Sequence, residues 1–260
     1  MRSVDVIVTL EEIGALQWGL VTTGQAELHG ISRVALGRLR DDEVIHQVRR
    51  GVWALPSADH GPFQGLRAAW LSTRPGALAN ERLQSENEIV VSHVSAAAVH
   101  SLGDLIPQRY EFTAVRRRQT SQADLRFHRA AVIGDVKVVD GLPVTSIPRT
   151  VEDLAGSGAD LDHLGAVIRD ALASPEVDMD DIAGRMDAVA VRHGYDDGVA
   201  LVEDSLDRAG LPAVVSNLVG SRALARAVAG RLPRVLSEKV LEEIERSFRC
   251  EDHTGKLSHL

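Results

Sequence analysis

Cysteine is nearly missing from this chain: 260 residues hold one, Cys250. A single thiol excludes an intramolecular disulfide framework and a cysteine-rich zinc site. Aromatic side chains make up 3% of residues, so a core of globular size must rest on Val, Leu, Ile and Ala. No apolar run approaches the roughly 18–20 residues of a membrane span. The opening MRSVDVIVTLEE is too polar and too short for a secretory leader. A cytoplasmic protein without membrane attachment is expected. Also absent are the Gly-x-x-x-x-Gly-Lys phosphate loop, the Gly-x-Gly-x-x-Gly dinucleotide turn, the Gly-x-Ser-x-Gly nucleophile elbow and the His-Glu-x-x-His zinc helix. No cofactor is expected.

A net positive charge is lacking as well: the formal net charge is −8. Its distribution carries more information than its sum. Residues 1–57 hold 6 basic and 7 acidic groups, and residues 109–130 hold 6 and 2. Residues 151–211 hold 4 basic and 15 acidic groups, so the acid is concentrated late in the chain. A nucleic-acid interface must then rest on a few placed arginines.

Such a set is found in residues 20–56, LVTTGQAELHGISRVALGRLRDDEVIHQVRRGVWALP. Thr22 and Gln25 have the spacing of a capping box that opens a helix. Gly30 supplies the left-handed residue of a sharp turn, and Ser32 caps a second helix. On that helix Ala35, Leu36 and Leu39 form an inward stripe. Arg33, Val34 and Gly37 form the opposite face, flanked by Arg38 and Arg40. A strand over Glu43–Gln47, a turn at Arg49-Arg50-Gly51 and a return strand over Val52–Leu55 come next. The arrangement is a winged helix-turn-helix, whose second helix reads base edges while a basic hairpin lies over the phosphates. A small αα-hairpin with solvated arginines is the competing reading of the same residues. Upstream, Thr9-x-x-Glu12 predicts a capped helix running to Trp18.

The same stretch resembles the N-terminal domain of the AbiEi family, antitoxins of type IV toxin–antitoxin systems. Ser32-Arg33-Val34-Ala35-Leu36 and Arg50-Gly51-Val52-Trp53-Ala54-Leu55-Pro56 match motifs of that family, with Trp53 in place of the usual Tyr. Ser92-His93-Val94-Ser95-Ala96 and Gly141-Leu142-Pro143-Val144-Thr145, with Arg149-Thr150, resemble two further family segments, so the likeness covers about the first 155 residues. It implies an antitoxin that binds operator DNA, arranged as inverted repeats, to repress its own operon. The partner it implies is a cognate nucleotidyltransferase-like toxin, neutralised with or without a tight complex.

Further along, the turn-rich Ser57–Pro62 is the expected boundary between a DNA-binding domain (1–57) and an antitoxin domain (58–260), mixed α/β over 58–157 and mainly helical over 158–260. Within the second, helices are expected at Phe63–Ser72 and from Ser92 or His93 to Gly103. Strands are expected at Ile89–Val91, Tyr110–Val115, Leu125–His128, Val136–Val139 and Leu142–Thr145, with Asp140-Gly141 a strong hairpin signal. Helices are then expected from Pro148 to Ala155 and over 160–173, 178–192, 196–209, 213–229 and 237–249, the last capped by Ser237. The fold class is α+β.

The expected DNA-binding set is Thr22, Thr23, Ser32, Arg33, Val34, Gly37, Arg38, Arg40, Arg49 and Arg50, with the run Arg116, Arg117 and Arg118 either a second phosphate-contacting patch or a solvated strand end. Ser92, His93, Ser95, His100 and Asp104 cluster in sequence, but no elbow or oxyanion turn accompanies them, so no catalytic set is read there. His93 and His100 lie two helical turns apart, so no metal site is read either. The alternatives to an antitoxin are a stand-alone winged-helix regulator with a sensory or partner-binding C-terminal domain and, third, an enzyme (a hydrolase or a kinase-like modifier of the toxin). The acidic helices are either a solvated face or a partner surface for a basic protein.

Overall fold

The computed structural model describes residues 3–84 and 88–209. The chain forms two compact units, one of Met1–Val99 with Pro107–Ser146, the other of His100–Ile106 with Ile147–Leu260. The turn at Ser57–Pro62 lies inside the first unit, so compactness divides the chain after Ser146 rather than at Ser57. The helices expected at 213–229 and 237–249 lie outside the described residues.

In the first unit, α1 (Ser3–Gly14) buries Val6, Leu10 and Ile13 at helical spacing. It begins well before the expected Thr9 cap. Thr9 is mid-helix, and its hydroxyl donates back to the Asp5 carbonyl at 3.0 Å, the alternative use of a helical threonine. A short strand absent from the sequence-based expectation, β1 (Leu20–Thr22), comes next. Then come α2 (Thr23–Leu28), α3 (Arg33–Asp41), β2 (His46–Arg49) and β3 (Val52–Ala54). The capping box of α2 forms as expected: Gln25 N donates to Thr22 Oγ1 at 3.1 Å, and Thr22 N donates to Gln25 Oε1 at 2.9 Å. Gly30, at φ +75°, turns the chain into α3, where Ser32 Oγ accepts from Ala35 N at 3.2 Å.

The wing is a three-stranded antiparallel sheet in the order β1-β3-β2. Alternation along its strands sends side chains to opposite faces. Val21 and Trp53 join α1–α3 in one core with Leu10, Ile31, Leu36 and Leu39. Leu20, Val52 and Ala54 join a second core with Leu66, Ala69 and Trp70 of α4 (Gln64–Ser72). A sheet buried on both faces ties the helix-turn-helix to α4 and the second core. A fragment ending at Ser57 would leave Leu20, Val52 and Ala54 bare.

After α4 the unit continues through α5 (Ala79–Gln84), β4 (Ile89–Val91), α6 (His93–Val99), β5 (Tyr110–Ala114), β6 (Leu125–Arg129), β7 (Val136–Val139) and β8 (Leu142–Thr145). The last five strands make one sheet in the order β6-β5-β4-β8-β7. β5 runs parallel to β6 and β4 parallel to β8, while the β4–β5 and β7–β8 pairs are antiparallel. α6 stops at Val99, short of the expected Gly103.

The second unit packs α7 (Ile147–Gly156), α8 (Leu161–Leu172), α9 (Met179–Ala190) and α10 (Gly198–Arg208). Asp160, Asp178 and Asp197 cap the last three. α8 and α10 approach so closely at Gly165 that a Cβ there would sit 1.9 Å from the Ser205 carbonyl oxygen. No helix among the described residues is long and apolar enough to cross a membrane.

Candidate nucleic-acid interface

The helix that would meet DNA is α3. Leu36 and Leu39 are buried, and Ala35 packs beside them, so the inward stripe is as expected. Arg33, Val34, Arg38 and Arg40 are exposed, Val34 at 64%. A Cβ placed on Gly37 would meet nothing within 4 Å. The glycine is therefore not required by packing among the described residues, although it costs roughly 1 kcal/mol of helix stability against Ala. The outward face of α3 thus offers a long cation, a methyl-rich side chain and a bare stretch of backbone.

Arg33 is 77% exposed, and its Nε donates to Glu27 Oε1 at 2.7 Å. A solvent-exposed pair of this kind is worth about 0–1 kcal/mol, less than the roughly 1–3 kcal/mol of a bidentate arginine–guanine contact. DNA can therefore displace Glu27. Arg40 is paired with its neighbour Asp41 at 2.7 Å. Arg38 has no partner among the described residues. Both sit in the last turn of α3, where a cation also opposes the negative end of the helix dipole.

Three of the expected contact residues are used inside the fold. Thr22 is fully buried; besides capping α2, its hydroxyl donates to the Pro75 carbonyl. Thr23 Oγ1 accepts from Trp53 Nε1 at 2.9 Å, holding the wing to α2. The loop after α4 covers the N-terminus of α2, because Gln25 Nε2 also donates to the Ala77 carbonyl at 2.8 Å. Ser32 is exposed, with its oxygen engaged as the α3 cap.

The wing differs from expectation at Arg49. The turn is Arg50-Gly51, and Arg49 is the last residue of β2, beside a register shift between Gln47 and Arg49. Such a bulge re-aims the side chains of its strand. The Arg49 side chain is 9% exposed, its Nη2 bonds Gln122 Oε1, and Asp124 lies 3.3 Å away. Its Nε and Nη1 are buried without a partner among the described residues. Arg49 therefore fastens β2 to the loop between β5 and β6 rather than reaching outward, and Arg50 alone is exposed at the wing tip.

That loop begins with the Arg116–Arg118 run, and all three residues are exposed. Arg118 Nη1 donates to the Thr73 carbonyl at 2.8 Å. Arg116 and Arg117 have no partner among the described residues. Gln122 is six positions after Arg116, so the run lies within roughly 20 Å of the Arg49 anchor, the reach of an extended segment of that length. Nothing in the local pattern around Arg49 signals that it holds this loop.

The Ser/His cluster does not assemble as a triad. Asp104 pairs with His163 at 3.1 Å. Ser92 Oγ lies 3.0 Å from His93 Nδ1 and accepts from Thr113 Oγ1 at 2.9 Å. Ser95 Oγ accepts from the backbone N–H of Glu111 at 2.9 Å. These side chains seat α6 on β5.

The family described as "Transcriptional regulator, AbiEi antitoxin" matches residues 8–56, from within α1 through the end of the wing. The crystal structure of the RV2827C protein from Mycobacterium tuberculosis is similar over 75% of this chain and 79% of that one, at 16% identity and a TM-score of 0.47. No curated protein matches the chain. Residues 8–56 thus match a transcriptional-regulator family of AbiEi antitoxins, and they are built as a winged helix-turn-helix.

Proposed function

We propose that this protein is the antitoxin of a type IV toxin–antitoxin pair, which binds inverted repeats upstream of its own operon and represses it. The observation that carries the reading is the outward face of α3, where Arg33, Val34 and Gly37 are free of packing on a helix held by two caps and a buried stripe. The base contacts are assigned to Arg33, Val34 and Gly37. Phosphate contacts are assigned to Arg38 and Arg50, with Arg116 and Arg117 as a second patch.

Neutralisation of a nucleotidyltransferase-like toxin is assigned to the rest of the chain. The second unit supports a role toward a basic partner through its charge. Arg169, Arg185 and Arg208 each lie against a carboxylate of their own unit, and most of the acid of residues 151–211 remains in excess. Expressing the chain with its neighbouring gene, and each alone, under a foreign promoter tests this part. Growth arrest by the neighbour alone and rescue by the pair are expected. A harmless neighbour, or arrest that persists with the chain present, would leave a stand-alone regulator.

Electrostatics gives a second, independent test of the interface. Each phosphate contact contributes about −0.9 to the slope of log affinity against log salt, so the four arginines give about −3 to −4. Arg50→Ala is expected to flatten that slope by about 0.9, whereas Arg49→Ala should leave it unchanged if its loop stays folded. An unchanged slope in Arg50→Ala would place the wing away from the DNA backbone.

A further inference from the structure

A buried histidine–carboxylate cluster lies in the first unit. Its members come from three elements: His93 opens α6, Glu111 is in β5 and His128 is in the neighbouring β6. β5 and β6 pair in parallel, with Glu111 opposite Arg126 and Thr113 opposite His128. Alternation places Glu111, Thr113, Arg126 and His128 on one face of the sheet. Phe112 and Phe127 face the other way and pack together.

The two imidazoles are stacked, with centroids 3.4 Å apart and planes inclined by 12°. His128 Nε2 lies 3.1 Å from Glu111 Oε2. One ligand atom from each of the three residues falls within 4.8 Å of the others. Burial alone would raise the Glu111 carboxyl, but the His128 hydrogen bond and the charges of His128, His93 and Arg126 outweigh it and hold the group below its ordinary value.

We propose that His93, Glu111 and His128 form a binding site for a divalent transition ion of the zinc type. Two imidazoles and one carboxylate are a known zinc donor set, and three protein ligands leave one coordination position for water. Zinc bonds of about 2.0–2.2 Å bring tetrahedral donor atoms to about 3.3–3.6 Å from one another. Closing from 4.8 Å brings the donor atoms together, and because an imidazole ligates through a lone pair in its own plane, one of the two stacked rings must also swing out of the stack; His128, at 18% side-chain exposure, is placed to do so. An orienting contact is already built: Ser92 Oγ lies 3.0 Å from His93 Nδ1, and Thr113 in turn holds Ser92. Arg126 Nη1, 3.5 Å from Glu111 Oε1, is the competing cation and must turn outward as the ion enters. The bound ion would clamp α6, β5 and β6 at the base of the loop that carries Arg116–Arg118.

The test uses the full chain, stripped with a chelator and titrated with zinc ion alone against a competing chromophoric chelator. One equivalent is expected to bind. His128→Ala and Glu111→Gln should each weaken it by about 10–100-fold or more, since losing a partner that merely orients a ligand costs that much. His29→Ala, at an exposed histidine, should bind as the wild type does. Apo melting curves separate a lost ligand from a lost fold. Because substitution of His93, which sits at φ +54°, can disturb α6, X-ray absorption of the loaded wild type provides a second reading. Two imidazoles and a carboxylate around the ion support the site. Failure of the wild type to bind, equal affinity in a folded His128→Ala, or an ion without two imidazoles around it overturns it.

Discussion

Gly37→Glu is expected to make this protein more stable and to abolish its hold on the operator. A Cβ at that position meets nothing within 4 Å among the described residues, so there is room for the side chain. Glutamate in place of glycine within a helix gains up to about 0.5–1 kcal/mol, and Arg33 lies one turn away to pair with it. On DNA the same carboxylate would face base edges and phosphates, and juxtaposed like charges cost several kcal/mol. Operator affinity should fall by at least about 100-fold while the melting temperature rises. Arg33→Ala is the companion: it removes a contact worth roughly 1–3 kcal/mol of base discrimination, so the operator should suffer and random DNA should not. Unchanged operator binding by Gly37→Glu, measured by fluorescence anisotropy, would falsify α3 as the recognition helix.

The largest expected loss of stability is at Gln25. Its side chain is buried at 1% exposure and bonds in four directions. Its Oε1 accepts from Thr22 N at 2.9 Å and from Gln17 Nε2 at 2.7 Å. Its Nε2 donates to Gln17 Oε1 at 3.0 Å and to the Ala77 carbonyl at 2.8 Å. Gln17 retains its bonds to the Leu20 carbonyl and from Ala79 N, so alanine at 25 leaves chiefly Thr22 N–H and the Ala77 carbonyl without partners. At about 1–3 kcal/mol for each unsatisfied buried group, the loss is roughly 2–6 kcal/mol. Circular dichroism should record a drop in melting temperature of about 5–20 °C. A drop of less than about 2 °C would mean that this network does not join the helix-turn-helix to the loop after α4.

Much of the first unit was legible because its signals are local. The Thr22/Gln25 box, Gly30, the Ser32 cap and the Leu36/Leu39 stripe each act within one helical turn, and all are in place. The hairpin at Asp140-Gly141 was legible for the same reason. The features that local signals do not reveal depend on partners far along the chain. β1 is three residues long and is a strand only because β3 returns to pair with it. Arg49 reads as a wing-tip arginine until a bulge aims it at Gln122 and Asp124. The capping pattern puts the start of α1 at Thr9, although burial from Val6 onward shows that the helix has already begun. His93, Glu111 and His128 carry no common motif; the parallel pairing of β5 and β6 under α6 is what brings them together.

The central claim is that α3 reads a sequence in the DNA before this gene. The direct measurement is the affinity of the full chain for that upstream DNA and for a shuffled duplex of equal length and composition, at physiological salt. Specific sites are typically bound about 10³-fold or more tightly than random DNA, and a ratio of that order is expected here. Equal affinity for the two duplexes, or no binding to either, would contradict the account.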